Sequence, residues 1–265
     1  VSVAGPEAAR GERFRAGAWL VALATIAAYA AAPGTAFQYD DFRVVVIDGD
    51  VHSWSAWWAS MPGMRPLTKA SYVANWLASP EPAGFAIAGV AMHVASALLV
   101  LALARRWLAA FAPALPRPGF AAIAAALVFA LHPAQTEAAV YIAGRSTALS
   151  SLFTLAALYA WERARAGSPA AWRGATMCLF VAAMGAREVA WTLPFALVLV
   201  EVARGERVGE AFRRTWPFWL LGVALGTAVL AIAPYRQLLA TSLAIRGPLD
   251  NLAAPVAAIT QGGPH

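Results

Sequence analysis

Residues 131–149, LHPAQTEAAVYIAGRSTAL, place His132, Glu137 and Arg145 between two strongly apolar runs. An ionisable group near a hydrocarbon edge costs several kcal/mol unless it is paired or hydrated, so such groups are candidates for function. Two further stretches carry related chemistry: Asp40 beside Asp41, and Arg187 beside Glu188. Adjacent carboxylates next to a low-dielectric wall push one pKa upward, toward useful base strength. Arg65, Arg145 and Arg187 can each grip a phosphate through two N–H donors. Every one of these residues also has a purely structural reading. The aspartates could be hydrated loop carboxylates or helix N-caps. The arginines could be ion-paired with Glu137 and Glu188, and His132, which precedes Pro133, could cap a helix end.

The elements that must position these groups are membrane helices. The 265 residues are 60% hydrophobic and 13% charged, with mean hydropathy +0.60, against about 25% charged residues in a soluble domain. The net charge of +6 comes from short clusters scattered between apolar runs. That pattern signals topology, not nucleic-acid binding. Cys178 is the one cysteine; it excludes a disulfide framework within the chain and reads as a small buried hydrophobe. Nineteen arginines against the single Lys69, with heavy alanine use, point to a GC-rich bacterial coding sequence.

Seven apolar runs recur, at 16–32, 84–104, 119–131, 146–161, 174–186, 189–203 and 217–234. Several are shorter than the roughly 20 residues of a full crossing. The span 174–203 reads either as two crossings or as two segments dipping to Arg187-Glu188. The first run, after Arg10, Arg13 and Arg15, reads as a signal peptide or as a retained first helix. Residues 37–83 form the first outer loop, where Trp54, Trp57 and Trp58 suggest a short interfacial helix. Residues 132–145 form the second outer loop, and 235–265 an outer-face tail or the start of a longer loop. With a cytoplasmic N-terminus, thirteen of the twenty basic residues face the cytoplasm, in clusters at 10–15, 105–117, 163–173 and 204–214. All the candidate polar residues then share the opposite face. The expected fold is an all-α transmembrane bundle of about seven helices, with residues 1–234 as one module. Gly222 and Gly226 form a small-xxx-small pair suited to close helix packing, and His93 reads as a satisfied core histidine.

Taken in order, these stretches resemble the GT-C glycosyltransferases, and among them the transmembrane and tetratricopeptide-repeat O-mannosyltransferases with their bacterial relatives. Tyr39-Asp40-Asp41 and the following Ile47-Asp48-Gly49-Asp50-Val51 resemble that family's acidic first-loop segment. Met64-Arg65-Pro66-Leu67-Thr68 and Asn75 resemble its Arg-Pro-Leu-Thr element and downstream Asn. His93 falls where the family carries a histidine. Phe129-Ala130-Leu131-His132-Pro133, Glu137-Ala138, Gly144-Arg145 and Leu149 match its second outer loop, the most specific part. Arg187-Glu188 stands where the family usually has Lys-Glu, followed by Thr192-Leu193-Pro194. The likeness covers roughly residues 37–201. An arginine in place of that lysine keeps the charge but changes donor geometry, and the repeat domain and later helices of most relatives are missing.

The resemblance implies a glycosyltransferase that moves a sugar from a polyprenyl-phosphate donor to a protein or glycan hydroxyl. It implies Asp40 or Asp41 as the base, and Arg65, His132, Glu137, Arg145, Arg187 and Glu188 around donor phosphate and substrate. The site would face the periplasm of a bacterial inner membrane, in contact with lipid and in reach of other membrane subunits, with no nucleic acid. A divalent cation on Asp40 and Asp41 is compatible with this chemistry, though no ligand spacing demands a metal. The rival from another class is a non-catalytic membrane subunit that keeps the module as a scaffold; the short chain and the arginine favour it. A transporter is disfavoured by the lack of any inverted repeat.

Overall fold

The computed structural model describes residues 6–167 and 169–244, and every regular element among them is helical. Eleven α-helices follow in order: α1 Pro6–Ala28, α2 Trp54–Ala59, α3 Pro66–Ala78, α4 Pro82–Phe111, α5 Pro118–Leu131, α6 Thr136–Ala139, α7 Arg145–Ala166, α8 Pro169–Ala186, α9 Leu193–Ala203, α10 Val208–Ala231 and α11 Ala233–Ala244. Proline in the first turn opens α3, α4, α5 and α9. Its missing N–H costs nothing there, and its fixed φ already suits a helix.

Length and apolarity single out α1 with its following turn (Phe14–Gly34), α4 and α10 as able to cross a membrane among the described residues. α5 taken together with Pro133–Ala139, bent by 54° between the two parts, is either a fourth, broken span or a re-entrant loop. These account for four of the seven apolar runs, and α7, α8 and α9 carry the rest. α7 is long enough but holds Arg145, Glu162, Arg163 and Arg165. α9 has 11 residues, about 16 Å, roughly half a hydrocarbon core. The ambiguous span 174–203 is thus α8 and α9, joined by a 3-10 turn over Glu188–Thr192. α10 begins earlier than its apolar run suggests and carries Pro217 inside it.

Of four buried apolar clusters among the described residues, two join the long helices. Val21 of α1 packs on Ala97 and Leu101 of α4 and on Ala122, Ala126 and Ala130 of α5. Alanines on one face let these backbones approach closely, which is how helices associate where lipid supplies no hydrophobic drive. The second core joins Trp161 of α7, Phe180 and Met184 of α8, Leu193 and Leu197 of α9 and Phe218 of α10. Gly222 faces Phe180 and Trp191, so the glycine pair accommodates an indole as well as a helix. His93 of α4 is buried and donates from Nε2 to the Ala130 carbonyl of α5 at 2.9 Å, as a satisfied core histidine does. Cys178 corrects an expectation: it is exposed on α8, because the inward face of that helix is taken by Phe180, Ala183 and Met184.

The two ends of the bundle differ chemically. At one end, Arg105 of α4 lies over Phe14 of α1, Arg106 over Tyr159, and Arg204 over Phe111. There Glu162 accepts from Trp107 and from Arg204, and Glu201 from Arg165 and Arg214. The polar loops gather at the other end. α7, with 22 residues and so about 33 Å long, joins the two.

At the loop end, two glycines permit backbone contacts that fix the second loop. A Cβ on Gly89 of α4 would lie 2.3 Å from the Ala139 carbonyl oxygen, and one on Gly144 2.3 Å from that of Glu137. Gly119, at the start of α5, has nothing within 4 Å. Gly144→Ala should therefore lower stability by about 1–3 kcal/mol, as overpacking does, whereas Gly119→Ala should leave it unchanged or slightly raised. Thermal unfolding of both variants in the same detergent or nanodisc checks this, and equal melting temperatures would refute the contact.

Candidate functional site

The chain turns sharply before Asp41. Tyr39 adopts φ 44, a left-handed pose that costs a non-glycine residue about 1–2 kcal/mol. The turn is closed by the Asp41 N–H, which donates to the Gln38 carbonyl at 2.8 Å. The Asp41 carboxylate is thereby drawn inward and is 2% exposed. One oxygen accepts from the Gln38 N–H at 3.0 Å, and the other from the Ala143 N–H of the second loop at 2.7 Å. Burial raises its pKa above the ordinary carboxylate value; the two N–H donors oppose that and the neighbouring Asp40 charge adds to it. Asp40 points outward, 65% exposed and 3.9 Å from Arg43, while its backbone N–H donates to the Tyr141 hydroxyl. The structure thus separates two carboxylates that sequence alone leaves equivalent.

Asp41 lines a cavity of about 530 Å³ with Thr35, Gln38, Tyr39, Glu137 and Tyr141 among its walls. The Thr35 hydroxyl is buried with no hydrogen-bond partner among the described residues. Glu137 sits on the short α6, exposed toward this space. It makes no ion pair among the described residues, so the reading that joins it to an arginine is replaced by a cavity shared with Asp41. His132 lies outside the cavity lining; its Nδ1 accepts from the Ala134 N–H at 3.1 Å and caps the turn that ends α5.

The arginines divide into three environments. Arg145 is 3% exposed and has no carboxylate partner among the described residues. Its guanidinium donates to the Ser71 and Phe85 carbonyls and to Asn75 Oδ1 at 3.3, 3.0 and 2.9 Å, and lies over the Tyr72 and Phe85 rings. Arg65 has φ 50 and meets Glu188 through two parallel bonds of 3.1 and 3.2 Å. Tyr235 of α11 donates its hydroxyl to the same carboxylate at 2.5 Å. Burial alone would raise the Glu188 pKa, but the bonds from Arg65 and Tyr235 outweigh it and hold the carboxyl below its usual value. Arg187 is half-buried and donates to the Ser146 and Thr147 hydroxyls at the start of α7. It forms no ion pair among the described residues.

These groups share one end of the bundle, although not one cavity. Tyr72 of α3 feels the charges of Arg145, Asp41 and Arg65 together, and its hydroxyl donates to the Ile142 carbonyl at 2.7 Å. Thr68 donates to the Ala186 carbonyl, tying α3 to the Arg187 turn. Sequence reasoning missed Tyr72, Tyr141, Thr35 and Tyr235. Tyr235 lies beyond the stretch that carries the family likeness, and lone tyrosines give no spacing signal. Lys69 pairs with Asp50 and Asp48 at 2.7 and 3.1 Å, which accounts for the second acidic motif structurally. Among the described residues no three His, Cys, Asp or Glu side chains converge as metal ligands. Asp40 and Asp41, the pair that sequence offers to a divalent cation, differ in setting: Asp40 is exposed and Asp41 buried, with both its oxygens accepting backbone N–H groups.

Comparison with known proteins adds a family likeness to this geometry. The chain is 28% identical to the protein O-mannosyl-transferase Tmtc2 of Drosophila melanogaster, over 65% of this chain and 20% of that protein. It is 26% identical to human TMTC3, over 49% of this chain and 15% of that protein. With Drosophila Tmtc1 the identity is 31%, over 48% of this chain and 16% of that protein. The chain therefore spans at most about a fifth of the length of these curated relatives. No protein-family profile and no solved structure matches it. With its apolar helices and this similarity over roughly half its length or more, the chain is a membrane protein related to the TMTC-type protein O-mannosyltransferases.

Proposed function

We propose that this chain is a membrane glycosyltransferase that moves a sugar from a polyprenyl-phosphate donor to a hydroxyl of a protein or glycan. The observation that carries the proposal is Asp41: a carboxylate buried at the wall of a cavity, fixed by two backbone N–H groups and raised in pKa. In this reading the acceptor O–H gives its proton to Asp41 as its oxygen attacks the anomeric carbon. The carbon–oxygen bond to phosphate breaks, and its electron pair leaves on the polyprenyl phosphate. Glu137 accepts hydrogen bonds from sugar or acceptor hydroxyls across the same space. Arg187 is the best-placed cation for the leaving phosphate, because hydroxyls rather than a carboxylate hold it. Thr147, which it touches, lies four residues after Ala143, whose N–H donates to Asp41. The excess of arginine at the far end supports an orientation with that end in the cytoplasm and the cavity outside, in a bacterial inner membrane. The names of the relatives make mannose the first sugar to test.

One observation favours the second reading, a non-catalytic subunit. Arg65 is paired with Glu188, and Arg145 is buried among carbonyls and rings, so Arg187 alone of the three is neither ion-paired among the described residues nor fully buried. Stable co-purification with a partner and no donor-lipid binding would select that reading.

Purified protein in nanodiscs, given polyprenyl-phosphate mannose and a hydroxyl acceptor peptide, should transfer the sugar. Asp41→Asn should reduce turnover by about 10²–10⁴-fold, the usual contribution of a general base, with folding intact. Undiminished turnover would remove Asp41 from the mechanism.

The rate should fall on acidification along a limb lying above the ordinary aspartate range, because protonation of Asp41 removes the base. Asp40→Asn deletes a neighbouring negative charge that contributes to the raised pKa, so it should move that limb to lower pH while preserving transfer. A pH–rate profile of kcat/KM for both proteins measures the displacement, and a limb that moves upward or stays fixed contradicts the assignment.

A further inference from the structure

The bundle has a second cavity, at the end remote from Asp41, that the proposed transfer reaction does not use. It has a volume of about 320 Å³ and is lined by Trp161, Ala164, Arg165, Arg173, Glu201 and Arg214. That is near the lower bound for small-ligand sites. Its walls come from the last turns of α7 and α9 and the first turns of α8 and α10, so four helix ends meet around it.

Glu201 fixes the arrangement. It is fully buried and accepts from Trp161 Nε1 at 2.9 Å, from Arg165 at 2.6 Å and from Arg214 at 3.0 Å. Arg214 also meets Glu206 at 2.8 Å. Each of these arginines uses only its Nη1 in these bonds, and a guanidinium has five N–H donors. Arg173, exposed on α8, has no ion pair among the described residues. Three guanidinium groups thus stand against Glu201 and, just outside, Glu206. One positive charge is left over, together with several unused donors.

We propose that this cavity binds a phosphate-bearing anion, and that its source is the headgroup of an anionic phospholipid. Planar guanidinium groups match phosphate oxygens through paired donors. The lipid source follows from location. The cavity lies at one end of α10, a helix long and apolar enough to cross a membrane. Phe212, Trp216, Leu220 and Val223 of that helix, spaced along one face, are exposed. These positions lie on the side of α10 away from Arg214, so they set the helix against lipid and place its first turns, which carry Arg214, near headgroup depth. Glu201 acts as a positioning group that holds Arg165 and Arg214 with their free donors toward the ligand.

The test is a thermal-shift titration of the full chain in neutral detergent, with phosphatidylglycerol, phosphatidylcholine and inorganic phosphate as separate arms. Phosphatidylglycerol should raise the melting temperature saturably and phosphatidylcholine should not. Arg173→Glu should weaken the apparent affinity about tenfold or more, the loss of one charge-assisted contact. Arg173→Lys should retain most of it, and Arg43→Glu, at the other end, all of it. Because Arg173 is exposed and carries no ion pair, these variants should fold; the untitrated melting temperature reports whether they do. Saturable stabilisation by inorganic phosphate at similar concentrations, lost in Arg173→Glu, would keep the anion chemistry and replace the lipid by a soluble phosphate. Equal responses to the neutral and anionic lipids, or an Arg173→Glu response like that of the parent protein, would overturn the proposal.

Discussion

The loop end rests on a buried cation with no carboxylate beside it among the described residues. Arg145 opens α7, and its guanidinium is stabilised by carbonyls from α3 and α4, by Asn75 and by two aromatic faces. A charge removed from water is tolerated only if its donors are met, and removing one partner leaves a penalty of several kcal/mol. The contacts of Arg145 therefore specify how α3, α4 and α7 meet. The residues just before it inherit that placement: Gly144 packs against the Glu137 carbonyl, and Ala143 presents its N–H to Asp41. The carboxylate of the first loop is thus aligned by a cation that never touches it.

The same helix separates two kinds of polar chemistry. Its first turn supports buried single charges met by backbone and hydroxyl groups. Its last turns supply Trp161, Glu162 and Arg165 to networks in which carboxylates face more than one donor. Membrane helices rarely afford buried ionisable groups outside functional or topological roles. Here they sit at both termini of α7, with apolar packing of Ala157, Phe180 and Leu193 nearer the middle.

Much of this was legible in the residues. Hydropathy showed the apolar helices, and the distribution of the basic residues put the polar loops on one side. The pairing inside that end was not legible. Arg65 chooses Glu188, and Glu137 stays free of arginine, because α3 brings Thr68 to the Ala186 carbonyl while α6 is held apart by backbone contacts at Gly89 and Gly144. Such distances depend on how helices cross, which no periodicity encodes. The exposure of Cys178 and the early start of α10 were hidden for a similar reason: composition says how apolar a helix is, not which face meets a neighbour.

Tyr235 adds a constraint on the order in which the molecule is made. Its hydroxyl reaches Glu188 and also accepts from the Arg65 backbone N–H, a partner 170 positions earlier in the chain. Nascent chains emerge from the N-terminal side first, so Arg65 must wait for Glu188, and both must wait until α10 has returned the chain to their end. The clasp is consequently the last of these loop-end contacts among the described residues to be seated during biosynthesis, after the whole of α10 has emerged.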